Sequence, residues 1–430
     1  MRQQNNGPES QPETARTTGE LQGMKNSSTF RPFCVALGIA ALSVSTVASA
    51  AVHRVFPGNS IQAAIDAAAP GDTILVEPGK YKETNNGRYG LRISTPNLRL
   101  IGKVVPGRGN AGKVRLVRNE AQETGIYAAP AGCEYRDHAD SCPDTLHGFY
   151  VRGFTVEDFP MNGIQTRWVD GFEFVSNESV RNLNNGIYPT VSANGLVRDN
   201  VSYGSLDTAM WVAASQNVRV INNVLYDSVI GFEITVSNNV WVTQNKIYNN
   251  TVGVGLFHPN GAGNPPLPEM ANWVIEHNDV RDNNRPNNAP QGSFQSFLPP
   301  GIGILLTGVS GHTVAKNRVE RNGFVGIAVL GWCTANDGSP NSCEAERPIA
   351  DPRANDNLIA QNKVSGNGTR PPPDAPFPPV DLLYAQFEPG ASGNCFEKNK
   401  PEGYNFFSTE PPFPLGLPPF GSGPLPTDGC

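Results

Sequence analysis

From residue 171 onward, apolar residues alternate with polar ones in short bursts: Phe172 and Phe174, Val218 and Val220, Val240 and Val242, Trp273 and Ile275. A period of two is the pattern of a strand with one buried face. Each burst runs into an Asn and then into a shorter stretch with an apolar centre (Leu225, Ile247, Val280, Val319, Val364). A turn rich in Asn, Asp and Gly follows. A third apolar run then opens on Gly or Ala, at Gly163-Ile164, Gly186-Ile187, Ala209-Met210, Gly231-Phe232, Gly253-Val254, Gly301-Ile302 and Gly326-Ile327. The pattern predicts three short strands per unit with no helix between them.

The units repeat. Segments starting at Gly171, Asn194 and Asn217 lie over one another at 23-residue spacing, with 22 residues to the next, and each carries an Asn at the same offset: Asn177, Asn200 and Asn223. The column continues at Asn245, Asn278, Asn317 and Asn362, with spacing widening to 33, 39 and 45 residues as Pro-, Gly- and Asn-rich insertions intervene. A unit this small cannot bury its own apolar face, so successive units must stack into a solenoid. The fold class expected is all-β, a parallel β-helix. Asn side chains stacked at the ~4.8 Å strand spacing can join one rung to the next through their amides, which makes the column scaffold. Tyr203, Tyr226 and Tyr248 fall in one column and are expected to stack.

Together with the opening SIQAAIDAAAPGDTILVEPGKY at Ser60–Tyr81, this arrangement resembles the right-handed parallel β-helix superfamily of pectate lyases, alginate-modifying enzymes and secreted β-helix repeat proteins. The resemblance covers roughly residues 52–368. It implies that the third strand of each rung forms the sheet whose outer face lines the substrate groove. It also implies proton abstraction at C5 of a uronate, with an Arg or a metal stabilising the resulting charge, leading to β-elimination or epimerisation. The chain departs from the family's active patterns: it has no Asp-Pro-His motif of the epimerases, no Asp-rich calcium cluster of the pectate lyases, and no Asn-Thr-Asp or Gly-His-Gly pair of the polygalacturonases. Calcium is the cofactor the resemblance admits, without a motif to hold it.

The segment from Ser60 to Ala69 has apolar residues at Ile61, Ala64, Ile65 and Ala68 behind a capping Ser60, which predicts a short helix covering the open end of the first rung. Residues Met24 to Ala50 read as a secretory signal, with Lys25 and Arg31 before an apolar core and Ala48-Ser49-Ala50 at its end. The domain division expected is an N-terminal extension and signal over 1–50, the β-helix over 51–368, and a Pro-rich tail over 369–430. After signal removal six cysteines remain, and proximity pairs Cys133 with Cys142, Cys333 with Cys343, and Cys395 with Cys430. A net charge of −6 and the lack of a basic patch argue against nucleic acid and an anionic membrane surface. Secretion or a periplasmic location follows.

Alternation along the third strand puts Gln165, Tyr188, Trp211, Glu233 and Gly255 in one outward column, and Arg167, Thr190, Ala213, Thr235 and Phe257 in the next. Aromatic rings flanked by carboxylates and a guanidinium suit an acidic polysaccharide. The candidate catalytic residues are Arg167, Tyr188, Asp207, Glu233 and His258, and the candidate substrate-binding residues are Gln165, Asn185, Trp211 and Phe257. No metal ligands are assigned. The leading function is binding, with cleavage or epimerisation, of an acidic polysaccharide. The alternatives are a non-catalytic interaction scaffold and a periplasmic copper-accessory protein, the latter set against only six His and five Met.

Overall fold

The computed structural model describes residues 49–84, 87–134, 141–259, 270–336, 350–400, 405–409 and 423–430. The expected signal segment lies outside these residues except for Ser49 and Ala50, and so do most of the insertions after Phe257 and Cys333. Among the described residues the chain winds into three parallel sheets of twelve, ten and eleven strands, and each strand pairs with its counterpart one rung away. The central rungs follow the predicted units. Val169–Val175, Ala193–Arg198, Gln216–Ile221 and Asn238–Thr243 pair in the first sheet. Glu178–Val180, Val201–Tyr203, Val224–Tyr226 and Lys246–Tyr248 pair in the second. Ile164–Arg167, Ile187–Thr190, Thr208–Ala213, Ile230–Thr235 and Val252–Phe257 pair in the third.

The turns explain why the repeat is so regular. From Asn200 onward each asparagine of the expected column accepts, at Oδ1, both the backbone N–H and the side-chain amide of its counterpart one rung earlier: Asn200 from Asn177, Asn223 from Asn200, and Asn245 from Asn223, all at 2.8–3.1 Å. Its own Nδ2 donates to a carbonyl of the preceding rung, as Asn223 does to Val197 at 3.0 Å. Every polar group at the bend is thereby bonded away from water. The residue just before each ladder Asn has a positive φ, at Ser176, Asp199, Asn222, Gln244, His277, Lys316 and Gln361. One left-handed residue makes the corner, and the ladder offsets its cost of about 1 kcal/mol or more.

The same device stands at the other two bends, where the sequence pattern had not disclosed it. Asn182, Ser205, Ser228, Asn250, Asn283, Asn322 and Asn367 occupy the equivalent place after the second strand, as the bonds of Ser205 to Ser228, Ser228 to Asn250 and Asn250 to Asn283 show. Ser192, Ser215 and Ser237 do so after the third. There the corner residues include Val191 and Val236 at φ 45° and 48°, conformations a β-branched residue rarely adopts.

Inside the coil, Val220, Phe232, Ile234, Val240, Ile247 and Trp273 are fully buried in one continuous core. Trp273 donates its indole N–H to the Ser237 carbonyl and stacks on the His312 imidazole at 4.1 Å. His312 takes a ladder position, accepting from Trp273 N–H and donating to Asn357. Tyr203, Tyr226 and Tyr248 stack face to face as expected, 4.7 and 5.2 Å apart. The helix spans Ile61–Asp66, Ser60 accepts from Ala63 N–H, and Ile61 and Ile65 enter the core. The glycine that matches Gly253 is Gly303 rather than Gly301, because Val252 pairs with Ile302. Past the boundary expected at 368, Val380–Ala385, Cys395–Glu397 and Phe406–Ser408 still add strands, so the coil continues. Cys133–Cys142 and Cys395–Cys430 are disulfides. Cys333 is disulfide-bonded as well, and Cys343, its expected partner, lies outside the described residues.

Candidate functional site

The outer face of the third sheet is not uniform. Toward its C-terminal end, Val252, Ile302, Val325, Leu305, Ala328 and Leu383 form an apolar layer covered by Phe294, Leu298 and Phe377. Toward its N-terminal end, Tyr89, Tyr127 and Trp168 pack with Cys133. Between these two apolar layers lies a polar stretch that belongs to four consecutive rungs.

At its centre, Thr208 Oγ1 lies 3.0 Å from Asp207 Oδ1 and 2.6 Å from Glu233 Oε2. Asp207 ends the turn before strand Thr208–Ala213, and Glu233 sits on the next rung, where it pairs in register with Trp211. One hydroxyl spans both carboxyls, so their oxygens can be no farther apart than those two bonds laid end to end. A hydroxyl has one proton to give. With both carboxyls ionised, one contact would set oxygen against oxygen with no hydrogen between, and a single proton on the pair resolves this. Burial, first, and the neighbouring Asp207 charge, second, push the Glu233 carboxyl well above its usual range. Burial likewise raises Asp207, to about 7, while hydrogen bonds from Thr208 and Gln295 pull it back. Two like groups with one proton between them are a known acid–base device.

Around the pair stand other expected residues. Tyr188 stacks on Trp211 at 4.6 Å and 14°, and burial pushes its hydroxyl up to about 12. Trp211 donates its indole N–H to Thr235 at 3.0 Å. Each ring therefore gives one face to the other, and both are half-buried. The Arg167 guanidinium lies 4.4 Å from the Trp168 ring, and its charge acts on Tyr188. Asn185 and Gln165 are buried and linked through Asn162, which accepts from Asn185 and donates to Gln165 Oε1 at 2.9 Å. Among the described residues Asn185 Oδ1 has no hydrogen-bond partner, which leaves a buried acceptor one rung before Thr208.

Two candidates belong elsewhere. Phe257 is buried against Phe294, edge to face at 5.2 Å, because the loop after Asn283 covers it. His258 packs on Trp332 at 5.0 Å with Nε2 3.3 Å from the Ala350 carbonyl oxygen, and burial holds its imidazole below the usual range. It is a loop-packing residue, and the catalytic role expected of it finds no geometry. Asp158, another turn carboxylate, is ion-paired with Arg181 at 2.8 Å on the second sheet. No group of three or more His, Cys, Asp or Glu side chains converges as a metal site among the described residues.

Sequence reasoning missed Thr208 and Gln295. Thr208 reads as one more small turn residue, and only its position between two carboxyls makes it notable. Gln295 lies in an insertion that breaks the repeat, so no column could place it.

Residues 162–343 match the family model described as "Right handed beta helix region". The A-module of the Azotobacter vinelandii mannuronan C-5 epimerase AlgE4 superposes with a TM-score of 0.56 at 19% identity, covering 81% of this chain and 83% of that one. A family 28 exopolygalacturonase of Yersinia enterocolitica gives a TM-score of 0.52 at 12% identity over 84% and 78% of the two chains. No curated protein matches the chain in sequence. At these identities the likeness is one of fold: the chain is a right-handed parallel β-helix.

Proposed function

We propose that this right-handed parallel β-helix is a secreted enzyme that cleaves an acidic polysaccharide by acid–base chemistry at Asp207 and Glu233. The observation that carries the reading is the buried carboxyl pair joined by the Thr208 hydroxyl on the outer face of the third sheet. Hydrolysis of a glycosidic bond needs one carboxylic acid to protonate the leaving oxygen and one carboxylate to take a proton from the incoming water or to attack the sugar. Burial raises both carboxyls, so one of the pair is held protonated to serve as the acid while the other serves as the carboxylate. Arg167 supplies the cation for a uronate, and the buried Asn185 acceptor suits a sugar hydroxyl. The disulfides at Cys133–Cys142 and Cys395–Cys430 support an oxidising compartment. Among the described residues no helix is long and apolar enough to cross a membrane.

A second reading removes a uronate C5 proton, giving elimination or epimerisation: an Asp207 or Glu233 carboxylate would take that proton, and the Tyr188 hydroxyl, two strands from Glu233 and held protonated by burial, would give one back. Purified protein incubated with polygalacturonate and with alginate separates the two. New reducing ends without ultraviolet absorbance mean hydrolysis, and absorbance of an unsaturated uronate means elimination. A changed uronate composition by proton NMR with intact chains means epimerisation. Absence of all three on a broad panel of acidic glycans, or product that persists in Glu233→Gln, would sink the enzyme reading and favour an interaction scaffold.

A further inference from the structure

We propose that the chain is processed between Ala50 and Ala51, and that Asp72 is the receptor for the α-ammonium group this cleavage creates, so that removal of the leader locks the first rung of the coil. The inference rests on the secreted reading of the protein. It is independent of the carboxyl pair.

The sequence supplies the cut. Ala48-Ser49-Ala50 has the small residues that a signal-cleaving protease accepts, and Ala51 follows directly. Ser49, Ala50 and Ala51 are exposed and belong to no strand, so no sheet pairing covers the Ala50–Ala51 bond. One residue later the coil begins. Strand Val52–Val55 pairs with Thr73–Val76 at the edge of the first sheet, and the Ala51 carbonyl accepts from Thr73 N–H at 2.8 Å. The residue that cleavage would leave first is thus already held at its carbonyl.

Its nitrogen is held as well. Ala51 N donates to Asp72 Oδ1 at 2.7 Å, and among the described residues it is the one donor to that oxygen. Asp72 is buried in the turn between the helix Ile61–Asp66 and strand Thr73–Val76. Its other oxygen, Oδ2, takes Ala69 N–H at 3.0 Å and lies 2.8 Å from His53 Nε2. Hydrogen bonds from His53, Ala51 and Ala69 hold the carboxyl ionised down to about 2. Among the described residues His53 is the only titratable side chain acting on it. Asp66, at the helix end, accepts from Gln62, and Arg99, whose N–H reaches the Asp72 carbonyl, lies over the Tyr150 ring.

A buried carboxylate is costly unless a cation meets it. Two amide N–H groups do not supply one, and His53 does so only when protonated. Cutting the Ala50–Ala51 bond turns the nitrogen already 2.7 Å from Oδ1 into an amine, and an α-amino group is ordinarily charged at pH 7, with a midpoint of ~7.7–8.0. A neutral hydrogen bond then becomes a charge-assisted one, about twice as strong. Each partner favours the charged form of the other, so the amine titrates above its ordinary value. The added stability is full from about pH 4 to about 8. It is lost as pH rises through the raised midpoint of the amine or falls toward that of Asp72.

The test has two arms. The full chain is expressed in a secreting bacterial host and the exported protein is sequenced from its N-terminus. Ala51 is expected first, and any other first residue overturns the proposal. A chain retained uncut overturns it together with the secreted reading. The processed chain is then compared at pH 7 with one made to start at Ser49, which keeps the Ala51 N–H but carries its ammonium two residues, up to ~7 Å, away. Hydrogen exchange over Ile61–Asp66 and Thr73–Val76, read by mass spectrometry, should be roughly 3–10-fold slower in the processed chain. The difference should vanish when both chains carry Asp72→Asn. If Asp72→Asn fails to fold by circular dichroism, the two unsubstituted chains decide alone. Equal exchange in those two overturns the receptor role even where the cut falls at Ala50–Ala51, and so does a difference that survives in folded Asp72→Asn. Slower exchange in a correctly cut protein with no turnover supports the proposal while removing the enzyme reading.

Discussion

The asparagine column at the first bend and the carboxyl pair on the outer face of the third sheet are both buried, but only the column repeats at one residue per rung. They differ in how their polar atoms are satisfied. The backbone N–H and side chain of Asn223 hydrogen-bond only with residues that the repeat itself brings into register: Asn200, Asn245 and the carbonyls of Val197 and Ile221. Asp207 and Glu233 instead meet through one turn hydroxyl, that of Thr208, and they balance only by sharing a proton. Translation along the coil thus builds scaffold. Chemistry gathers where neighbouring rungs differ in the residues they turn outward.

The comparison can be broken most directly at the pair. Glu233→Gln and Asp207→Asn should each lower turnover by roughly 10²–10⁴-fold, the usual worth of a positioned acid or base, without lowering the melting temperature. A comparable loss of stability would class the two with the ladder instead. At the ladder the opposite is expected. Asn223→Ala leaves several buried groups unpaired and should cost about 3 kcal/mol in denaturant unfolding, and a neutral result would remove the scaffold role.

Acidity separates the pair from the column as well. The folded chain keeps the Asp207 proton to about 7, whereas the unfolded chain releases it near the ordinary value of ~3.9. Folding therefore retains a proton in that window, and stability contributed by the protonated form is lost as pH rises from about 4 to 7. Asp207→Asn should flatten this loss, so that its melting temperature exceeds the parent's by most at pH 8. His312 has the opposite sign. Burial lowers it to about 3, the unfolded imidazole protonates near ~6.5, and stability falls as pH drops between the two. His312→Asn, which restores an amide to the ladder, should reduce the acid-side loss in melting curves taken from pH 7 to pH 4. The smallest effect is expected at the edge of the groove. Trp211→Phe keeps a ring against Tyr188 and gives up the bond to Thr235, which should cost about 1 kcal/mol in denaturant unfolding.

Much of the fold was legible because it is local and periodic. The alternation around Val218 and Val240, the corner asparagines and the small residue opening each third strand recur at one offset, so a single unit read correctly predicts its neighbours. The serine columns at Ser192, Ser215 and Ser237 escaped notice because Ser is common at turns, and nothing in the chain distinguishes a stacked Ser from a solvated one. Of the site, Glu233, Tyr188 and Arg167 were placed on one face by alternation, and Asp207 by its turn just before the strand. Phe257 has the same alternation and His258 follows it, yet both sit beneath a loop.

What the sequence determined by itself was the winding: strand, corner and register follow from side-chain period and from residues that can bond across one rung, and these are short-range properties. What only the tertiary structure decided was which outward residues meet. The loop from Asn283 to Ile302 folds back over the sheet and brings Phe294 onto Phe257. No spacing along the chain encodes that meeting, because the insertion breaks the repeat and Phe294 docks on both Phe257 and Trp332 in three dimensions.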